Sequence, residues 1–330
     1  MRAALLVTIL WAGGVITASA QQPRPSQATP GQEGQGPPIR VFVEEVTVPF
    51  IVTDNKNKII TELNKEDFKV LEEKESQPII AFTQETDVPL RVGLLIDTSN
   101  SIRDRFAFEQ RAASDFLRTL LRPEKDRAFL ASFDSVAELI QDFTGELDKL
   151  VTAIESLRPG GGTALYDAIF YACRDRLLEG APDLGSYRRA LVILSDGEDN
   201  QSRYSRLQAL ELAQRAEVII YTISTNIRGI KMPGDKVLQQ YAEETGGRYF
   251  QPFNLTDLDA AFAAINTELR SQYSISYRPT SRRDGKYHEI EILPQKRGLR
   301  VRARKGYFAT QPPGFVPPTE PSGPAADPTR

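Results

Sequence analysis

The sequence predicts an α/β protein with a doubly wound, mostly parallel sheet, flanked by a β-sandwich built from the N- and C-terminal segments. Two observations support this fold class. Residues 88–270 alternate between short apolar runs and longer amphipathic stretches. Residues 39–87 and 271–310, by contrast, contain only strand-like segments. Alternation of strands and helices is typical of a sheet covered by helices on both faces.

The α/β segment, residues 88–270, is predicted to contain six strands and six helices. Leu191–Leu194 is a continuous apolar strand, which suits a sheet buried on both faces. Apolar residues at helical spacing favour a helix over 256–270, and Gly246-Gly247 is expected to end the helix before it. The predicted strands are 91–96, 127–134, 137–143, 190–194, 218–223 and 248–251, and the predicted helices are 104–121, 146–156, 164–178, 204–215, 235–245 and 256–270.

The two flanking segments are too short to fold well alone, and their charges are complementary. Residues 39–89 contain 6 basic and 11 acidic residues, whereas residues 271–310 contain 10 and 3. We therefore expect them to pair into one β-sandwich, with two independent attachments as the alternative. Their predicted strands are 41–43, 46–53, 59–60, 68–71, 78–83, 273–277, 287–293 and 299–303.

The ends of the chain are predicted to lie outside the fold. Residues 1–20 have a basic start at Arg2, an apolar stretch and the small residues Ala18-Ser19-Ala20, which is the pattern of a cleaved export signal. Residues 21–38 are predicted to be a flexible linker and residues 311–330 a disordered tail. We therefore expect an exported protein, periplasmic or extracellular, with no integral membrane segment after cleavage.

Composition narrows the possible functions. Apolar residues make up 40% of the 330-residue chain and the formal net charge is −3, which is ordinary for a globular protein and argues against a nucleic-acid partner. The sole cysteine, Cys173, excludes an intrachain disulfide and is expected to be a packing residue.

Five oxygen-bearing residues form the most informative pattern. Asp97, Ser99 and Ser101 follow one apolar strand at alternate positions, Thr163 ends a run of three glycines, and Asp196 follows a second apolar strand. Ligands of open α/β sheets bind at the carboxyl ends of the strands. Magnesium prefers oxygen ligands and keeps several waters, so the hydroxyls are expected to bind directly and the two acids to hold waters. Mn²⁺ and Ca²⁺ remain possible, since they also accept oxygen ligands.

The segments 97–101, 162–163 and 195–197 together match, in order and spacing, the metal-ion-dependent adhesion site (MIDAS) of the von Willebrand factor A (VWA) domain. The chain therefore resembles VWA-domain proteins over residues 88–270, and the resemblance implies the Rossmann-like fold of that domain. The flanking sequence resembles bacterial exported VWFA-related proteins, in the segments Val48-Pro49-Phe50, Leu63 to Phe68, Glu72-Glu73 and Tyr273 to Tyr277.

The resemblance implies a function in protein–protein interaction or cell adhesion. Ser99, Ser101 and Thr163 would bind the metal directly, and Asp97 and Asp196 would act through water. An exposed Asp or Glu of a protein partner would complete the metal shell. The resemblance also implies that ligand binding shifts the last helix, residues 256–270.

Basic residues are expected around this site, where they would steer an acidic ligand toward the cation. A solvated surface is the alternative. Residues 225–237 are expected to form a long polar loop that moves or sets specificity. The expected basic rim consists of Arg103, Arg105, Arg203, Arg206, Arg228 and Lys231.

Two other classes of function are less well supported. A magnesium-dependent phosphotransfer enzyme would need a second acid two residues after Asp97, where Ser99 stands, or a phosphate-binding loop, which the glycine run before Thr163 does not complete. The sole histidine, His288, lies far along the chain and is expected on a strand surface. No catalytic residue is therefore predicted. A structural scaffold of an envelope complex, without exchangeable ligand, stays open.

Overall fold

The computed structural model describes residues 45–103, 105–178, 187–226, 230–280 and 284–309. The predicted export signal, linker, first strand (41–43) and C-terminal tail lie outside the described residues. Within the described part of the chain, no helix combines the length and the apolar composition required to span a membrane.

Four strands form the N-terminal flank, and a short 3₁₀ turn at Lys65–Asp67 precedes the second of them. The strands are β1 (Val46–Asp54), β2 (Phe68–Glu72), β3 (Glu75–Gln77) and β4 (Ile79–Glu85). Buried residues alternate with more exposed ones through β2 and the first half of β1, the two strands of this flank that contribute most to its core.

Six strands and six helices form the α/β part. The strands are β5 (Leu90–Asp97), β6 (Arg127–Phe133), β7 (Ala137–Thr144), β8 (Arg188–Ser195), β9 (Ile219–Ser224) and β10 (Tyr249–Phe250). The helices are α1 (Phe106–Leu120), α2 (Leu147–Ser156), α3 (Leu165–Tyr171, continued as a π-helix over Ala172–Leu178), α4 (Arg206–Arg215), α5 (Pro233–Thr245) and α6 (Leu255–Arg270).

The central sheet has the order β10-β9-β8-β5-β6-β7, in which β7 alone is antiparallel to its neighbour. Both faces are covered, since one apolar cluster packs α1, α2 and α6 against the sheet and a second packs α3, α4 and α5 against the other face. Burial on both faces explains why β5 and β8 are almost continuously apolar. The predicted doubly wound α/β fold is confirmed.

The flanking strands form two antiparallel sheets, completed by β11 (Gln272–Tyr277), β12 (Tyr287–Pro294), β13 (Leu299–Ala303) and β14 (Gly306–Phe308). The orders β13-β1-β11-β4 and β14-β12-β2-β3 mix strands from both flanks in each sheet. The single sandwich is therefore confirmed, and two independent attachments are excluded. Its core is aromatic, with Phe50, Phe68, Phe82 and Tyr273 in ring contact.

Charge complementarity between the flanks plays a small part in this pairing. Lys296 Nζ lies 2.9 Å from Asp67 Oδ1, but the lysine is mostly exposed, and exposed ion pairs contribute little. Burial of the aromatic core contributes more to the stability of the sandwich.

The expectation of a strand-surface histidine is wrong, because His288 is 7% exposed and its Nε2 lies 3.0 Å from Asp284 Oδ1.

Several boundaries differ from the sequence-based predictions. The three-residue strands β3 and β14 contain too few residues to show a period and were not predicted. Helix α5 begins at Pro233, so the loop before it is shorter than expected; proline is favoured at a helix start because its φ is already helical. Cys173 is buried, as predicted.

Candidate metal site

Asp97 is the last residue of β5 and is fully buried. Its Oδ1 accepts a hydrogen bond from the backbone N–H of Ser99 at 2.9 Å, and its Oδ2 accepts one from Ser195 Oγ at 2.7 Å. Ser195 ends the neighbouring parallel strand, β8. The carboxylate therefore fixes the loop after β5 and joins it to the end of β8.

Ser99 and Ser101 lie in the loop that follows Asp97, where residues 100–102 form a 3₁₀ turn. Their hydroxyl oxygens are 2.9 Å apart. Ser99 is buried and Ser101 is exposed, so the pair connects the interior to the surface. The alternate spacing in sequence thus brings two hydroxyls to one point, as predicted from the pattern.

The glycine run places Thr163 against this loop. Gly160 N–H donates to Thr98 O at 2.6 Å, and Asn100 Nδ2 donates to Gly161 O at 3.2 Å. Thr163 is 5% exposed, and its backbone N–H donates to Asn200 Oδ1 at 3.0 Å. Residue 164, not Thr163, is the N-cap of α3, so capping does not use the threonine hydroxyl.

Asp196 follows Ser195 and is half-buried at the same edge of the sheet. Its loop is held by close backbone packing against the start of α5. A Cβ on Gly197, whose φ is +79°, would lie 2.2 Å from Gly234 O, and a Cβ on Gly234 would lie 2.2 Å from Asp196 O. Only glycine fits at either position, and the contact sets where the Asp196 carboxylate stands.

Among the described residues, no basic neighbour outweighs the burial of the Asp97 and Glu109 carboxyl groups at this edge. Burial raises the pKa of Asp97 to about 6 despite its hydrogen bonds from Ser99 and Ser195, and Asp196 raises it further. Burial also raises the pKa of Glu109, in the first turn of α1, to about 8; Arg105 opposes this shift, while Asp97 and Asp196 add to it. At this edge, burial therefore favours the neutral form of two carboxyl groups, which a nearby cation would help to ionise.

These groups fit a hard divalent cation. Oxygens at neighbouring corners of an octahedron with bonds of ~2.0–2.1 Å are about 3 Å apart, which matches the two serine hydroxyls. Among the described residues, no three His, Cys, Asp or Glu side chains are grouped to hold a metal. The predicted set of Asp97, Ser99, Ser101, Thr163 and Asp196 stays a prediction, in which three of the five residues would offer hydroxyl oxygens.

The expected basic rim is only partly exposed. Arg103 and Lys231 are exposed but engaged, Arg103 with Asn100 Oδ1 at 3.0 Å and Lys231 with Gln239 Oε1 at 2.9 Å. Arg105 is half-buried and donates to the Thr225 carbonyl. Arg203 is exposed, Arg206 is half-buried, and Arg228 lies outside the described residues.

The loop between β9 and α5 is anchored at both ends. Asp235 is fully buried and accepts hydrogen bonds from Ser224 Oγ at 2.5 Å, from Asn226 Nδ2 at 2.7 Å and from the Met232 N–H at 2.7 Å. Asn226 Nδ2 also donates to Ile230 O at 3.0 Å. The described ends of this loop are thus part of the fold, which sequence reasoning did not foresee.

Sequence reasoning placed Ser195 in the motif segment 195–197 but gave it no role, and it did not single out Asn200 or Glu109 for this site. Ser195 had a signal, as a hydroxyl that ends an apolar strand. Glu109 had one too, because an acid three residues after Phe106 falls on the apolar face of the predicted helix. Asn200 had none, since its contact with Thr163 spans 37 residues in a loop.

Residues 92–198 match the model of the von Willebrand factor type A domain. No curated protein matches the chain. Similar solved structures include an aerotolerance-related membrane protein from Bacteroides fragilis, at 22% identity and a TM-score of 0.44, covering 55% of this chain and 98% of that one.

A second similar structure is the proximal thread matrix protein 1 of mussel byssus, solved with a zinc-occupied MIDAS motif. It is 15% identical, with a TM-score of 0.48, and the match covers 60% of this chain and 50% of that one. A von Willebrand factor type A structure from Catenulispora acidiphila is 12% identical, with a TM-score of 0.47, and covers 72% of this chain and 75% of that one. On the family match over residues 92–198 and the doubly wound sheet of which they are part, this chain contains a VWA domain.

Proposed function

We propose that this protein binds a protein partner through a divalent cation, Mg²⁺ in the first instance, held at the carboxyl edge of the central sheet. Ser99, Ser101 and Thr163 would bind the cation directly, and Asp97 and Asp196 would hold its waters. The observation that carries the proposal is the pair of serine hydroxyls 2.9 Å apart beside the buried Asp97 carboxylate. Without a cation, that buried carboxylate has no counter-charge among the described residues, which is costly in a low-dielectric interior.

A carboxylate of the partner is the natural last ligand. When bound, a cation supplies one Lewis-acidic position for an outside oxygen. Ser101 is exposed, so the site opens to solvent at this point. An exposed Asp or Glu of a partner is small and charged enough to enter there.

Apolar side chains on the same edge would supply the rest of the contact. Of the six large apolar side chains that are exposed in the described chain, four lie in loops or first helical turns at the carboxyl ends of sheet strands. Exposed apolar groups around a polar centre are typical of protein-binding surfaces. They are Val136 (53% exposed), Leu207 (64%), Ile230 (64%) and Phe253 (56%).

The basic residues Arg103, Arg203 and Lys231 would surround this contact and attract the acidic partner. Since Arg203 is exposed, its charge can be reversed without disturbing the core. Arg203→Glu should slow association with the partner and leave the thermal midpoint unchanged.

Cation binding is tested by thermal unfolding in EDTA and in millimolar Mg²⁺, Mn²⁺ and Ca²⁺. A cation that binds only the folded protein raises the midpoint, by the equivalent of about 2.7 kcal/mol at a concentration of 100 Kd. Ser101→Ala should reduce the shift, because it removes one hydroxyl ligand. Ser156→Ala, another exposed hydroxyl at the end of α2, should behave as the wild type. Absence of any shift in the wild type would contradict the proposal.

Partner binding is tested separately. Proteins retained by the wild type in the preferred cation should be lost in EDTA and with Ser101→Ala, but kept with Ser156→Ala. Retention that persists in EDTA would instead favour a scaffold without exchangeable ligand.

The proposal gives this protein no enzymatic activity. The sole histidine is buried in the sandwich, near Asp284 and Glu72, where His288 Nδ1 lies 3.6 Å from Glu72 Oε1. It therefore cannot serve as a base at the edge of the central sheet, and Ser99 stands where a phosphotransfer site would need its second acid.

Export is the last part of the proposal and rests on the sequence of residues 1–20. A cleaved signal would leave Gln21 as the first residue of the mature protein in a periplasmic or extracellular fraction. Mass spectrometry of the secreted or periplasmic protein tests this, and an intact Met1 on cytoplasmic protein would contradict it.

A further inference from the structure

We propose that Glu109 is a third carboxylate of the cation site, which does not ligate the metal but, when ionised, raises its affinity from a buried position where no described residue pairs with it. The inference rests on the proposed function, since it needs a cation near Asp97 and Asp196. It adds a residue that lies outside the five-residue motif and on a different element.

Glu109 lies on the buried face of α1. Phe106, Ala113 and Phe116 share that face at helical spacing and pack in the apolar cluster that α1 forms with the sheet. Glu109 is 2% exposed, although its buried neighbours on this face within α1 are apolar. Burial of a carboxyl in such a position is unfavourable unless something nearby compensates it.

No described residue compensates it directly. Neither Oε1 nor Oε2 of Glu109 has a hydrogen-bond partner, and the carboxylate forms no ion pair among the described residues. By contrast, the equally buried Glu268 is paired with Arg248 at 3.2 Å and with Arg302. An orphaned buried carboxylate of this kind costs stability and needs a functional explanation.

The charged groups around Glu109 identify that explanation. Arg105, one turn earlier, acts on it favourably, whereas Asp97 at the end of β5 and Asp196 after β8 act on it unfavourably. Two of these three neighbours are the acids of the candidate metal site. A divalent cation held between them would bring two positive charges within electrostatic range of Glu109. The electrostatic potential at its carboxylate would then change from unfavourable to favourable for a negative charge.

The proposal predicts opposite effects of one substitution. Glu109→Gln keeps the shape of the side chain and removes its charge. Without a cation, this removes repulsion and burial cost, so the variant should be more stable than the wild type. With a cation, it removes a favourable interaction, so the affinity should fall by about tenfold, the effect typical of outer-shell groups. A residue that only packs would not produce opposite signs.

The experiment measures thermal unfolding of the wild type and Glu109→Gln in EDTA and across a Mg²⁺ titration, at about pH 8.5. At this pH the Glu109 carboxyl is mostly ionised even without the cation, because burial raises its pKa to about 8. Glu268→Gln is the matched control. It removes a buried but paired carboxylate, so it should lower stability and leave the Mg²⁺ affinity unchanged. Glu109→Met provides a second neutral variant if the glutamine variant does not fold.

The outcomes separate the inference from the proposed function. Higher stability in EDTA together with weaker Mg²⁺ binding supports the role of Glu109. Equal Mg²⁺ affinity in the wild type and both neutral variants overturns that role and leaves the five-residue site intact. Absence of Mg²⁺ binding in the wild type overturns both.

Discussion

The two edges of the central sheet differ in whether their buried acids form ion pairs among the described residues. At the amino edge, Asp126 is fully buried and receives Arg270 Nη2 at 2.5 Å, the Leu90 N–H at 2.9 Å and the Arg122 N–H at 2.8 Å. Arg188 there lies 2.9 Å from Glu85. At the carboxyl edge, none of Asp97, Glu109 and Asp196 forms an ion pair among the described residues.

The pKa values follow this difference. Burial tends to raise the pKa of Asp126, but hydrogen bonds from Arg270 and two backbone amides outweigh it and hold the pKa below its usual range. Burial raises the pKa of Asp97 to about 6 and that of Glu109 to about 8, without such compensation. Paired buried charge fixes the fold, whereas unpaired buried charge is typical of a functional site.

Asp235 shows that a position at the carboxyl edge does not by itself determine whether a buried acid has hydrogen-bond partners. It lies at the carboxyl edge, yet its hydrogen bonds outweigh burial and lower its pKa. It fixes the start of α5 and the ends of the loop before it, so it belongs with the structural acids. The three acids without an ion pair among the described residues, Asp97, Glu109 and Asp196, are the ones associated with the loop of Ser99 and Ser101.

The largest change in the free energy of unfolding is expected from removing a buried ion pair at the amino edge of the sheet. Asp126→Ala should lower the free energy of unfolding by about 3–5 kcal/mol, because it leaves Arg270 without its buried partner. Urea unfolding measures the change. Asp115→Ala is the control, since Asp115 is an exposed acid 3.9 Å from Arg118 and its loss should cost less than about 1 kcal/mol. Equal losses in the two variants would show that the amino edge is not held by its buried pairs.

A smaller loss of stability is expected from disturbing the backbone that packs against Asp196 at the carboxyl edge. Gly234→Ala places a methyl group 2.2 Å from Asp196 O, so it should destabilise the fold by about 1–3 kcal/mol and reduce the Mg²⁺-induced rise in midpoint. Gly160→Ala is the control, because nothing lies within 4 Å of its added Cβ. A normal Mg²⁺ response in Gly234→Ala would contradict the proposed placement of Asp196.

The smallest effect is expected from pH in the absence of cations. The folded-state pKa of Glu109, about 8, lies above its usual value of 4.5, so its contribution to stability is complete below about pH 4.5 and is lost as the pH rises through 8. In EDTA the wild type should therefore lose about 1 kcal/mol more than Glu109→Gln between about pH 7 and 8.5. Parallel stability curves for the two proteins would mean that the Glu109 carboxyl is solvated.

The fold class and the identity of the motif residues can be predicted from the sequence alone. Apolar runs such as Leu191–Leu194 favour strands buried on both faces. The alternate spacing of Asp97, Ser99 and Ser101 is a local pattern in the sequence. These signals depend on neighbours along the chain, so they require no knowledge of the folded protein. The mixture of both flanks in one sandwich was also predictable, since neither segment can bury its apolar face alone.

Which buried charges are paired, by contrast, depends on the tertiary structure. Asp126 and Arg270 are 144 residues apart in the chain, and Asp97 and Ser195 are 98 apart. Glu109 and Glu268 are indistinguishable as acids on apolar helix faces, yet one has two arginine partners and the other has none among the described residues. Electrostatic compensation depends on distance in space and on exclusion of water, and the order of residues along a chain specifies neither.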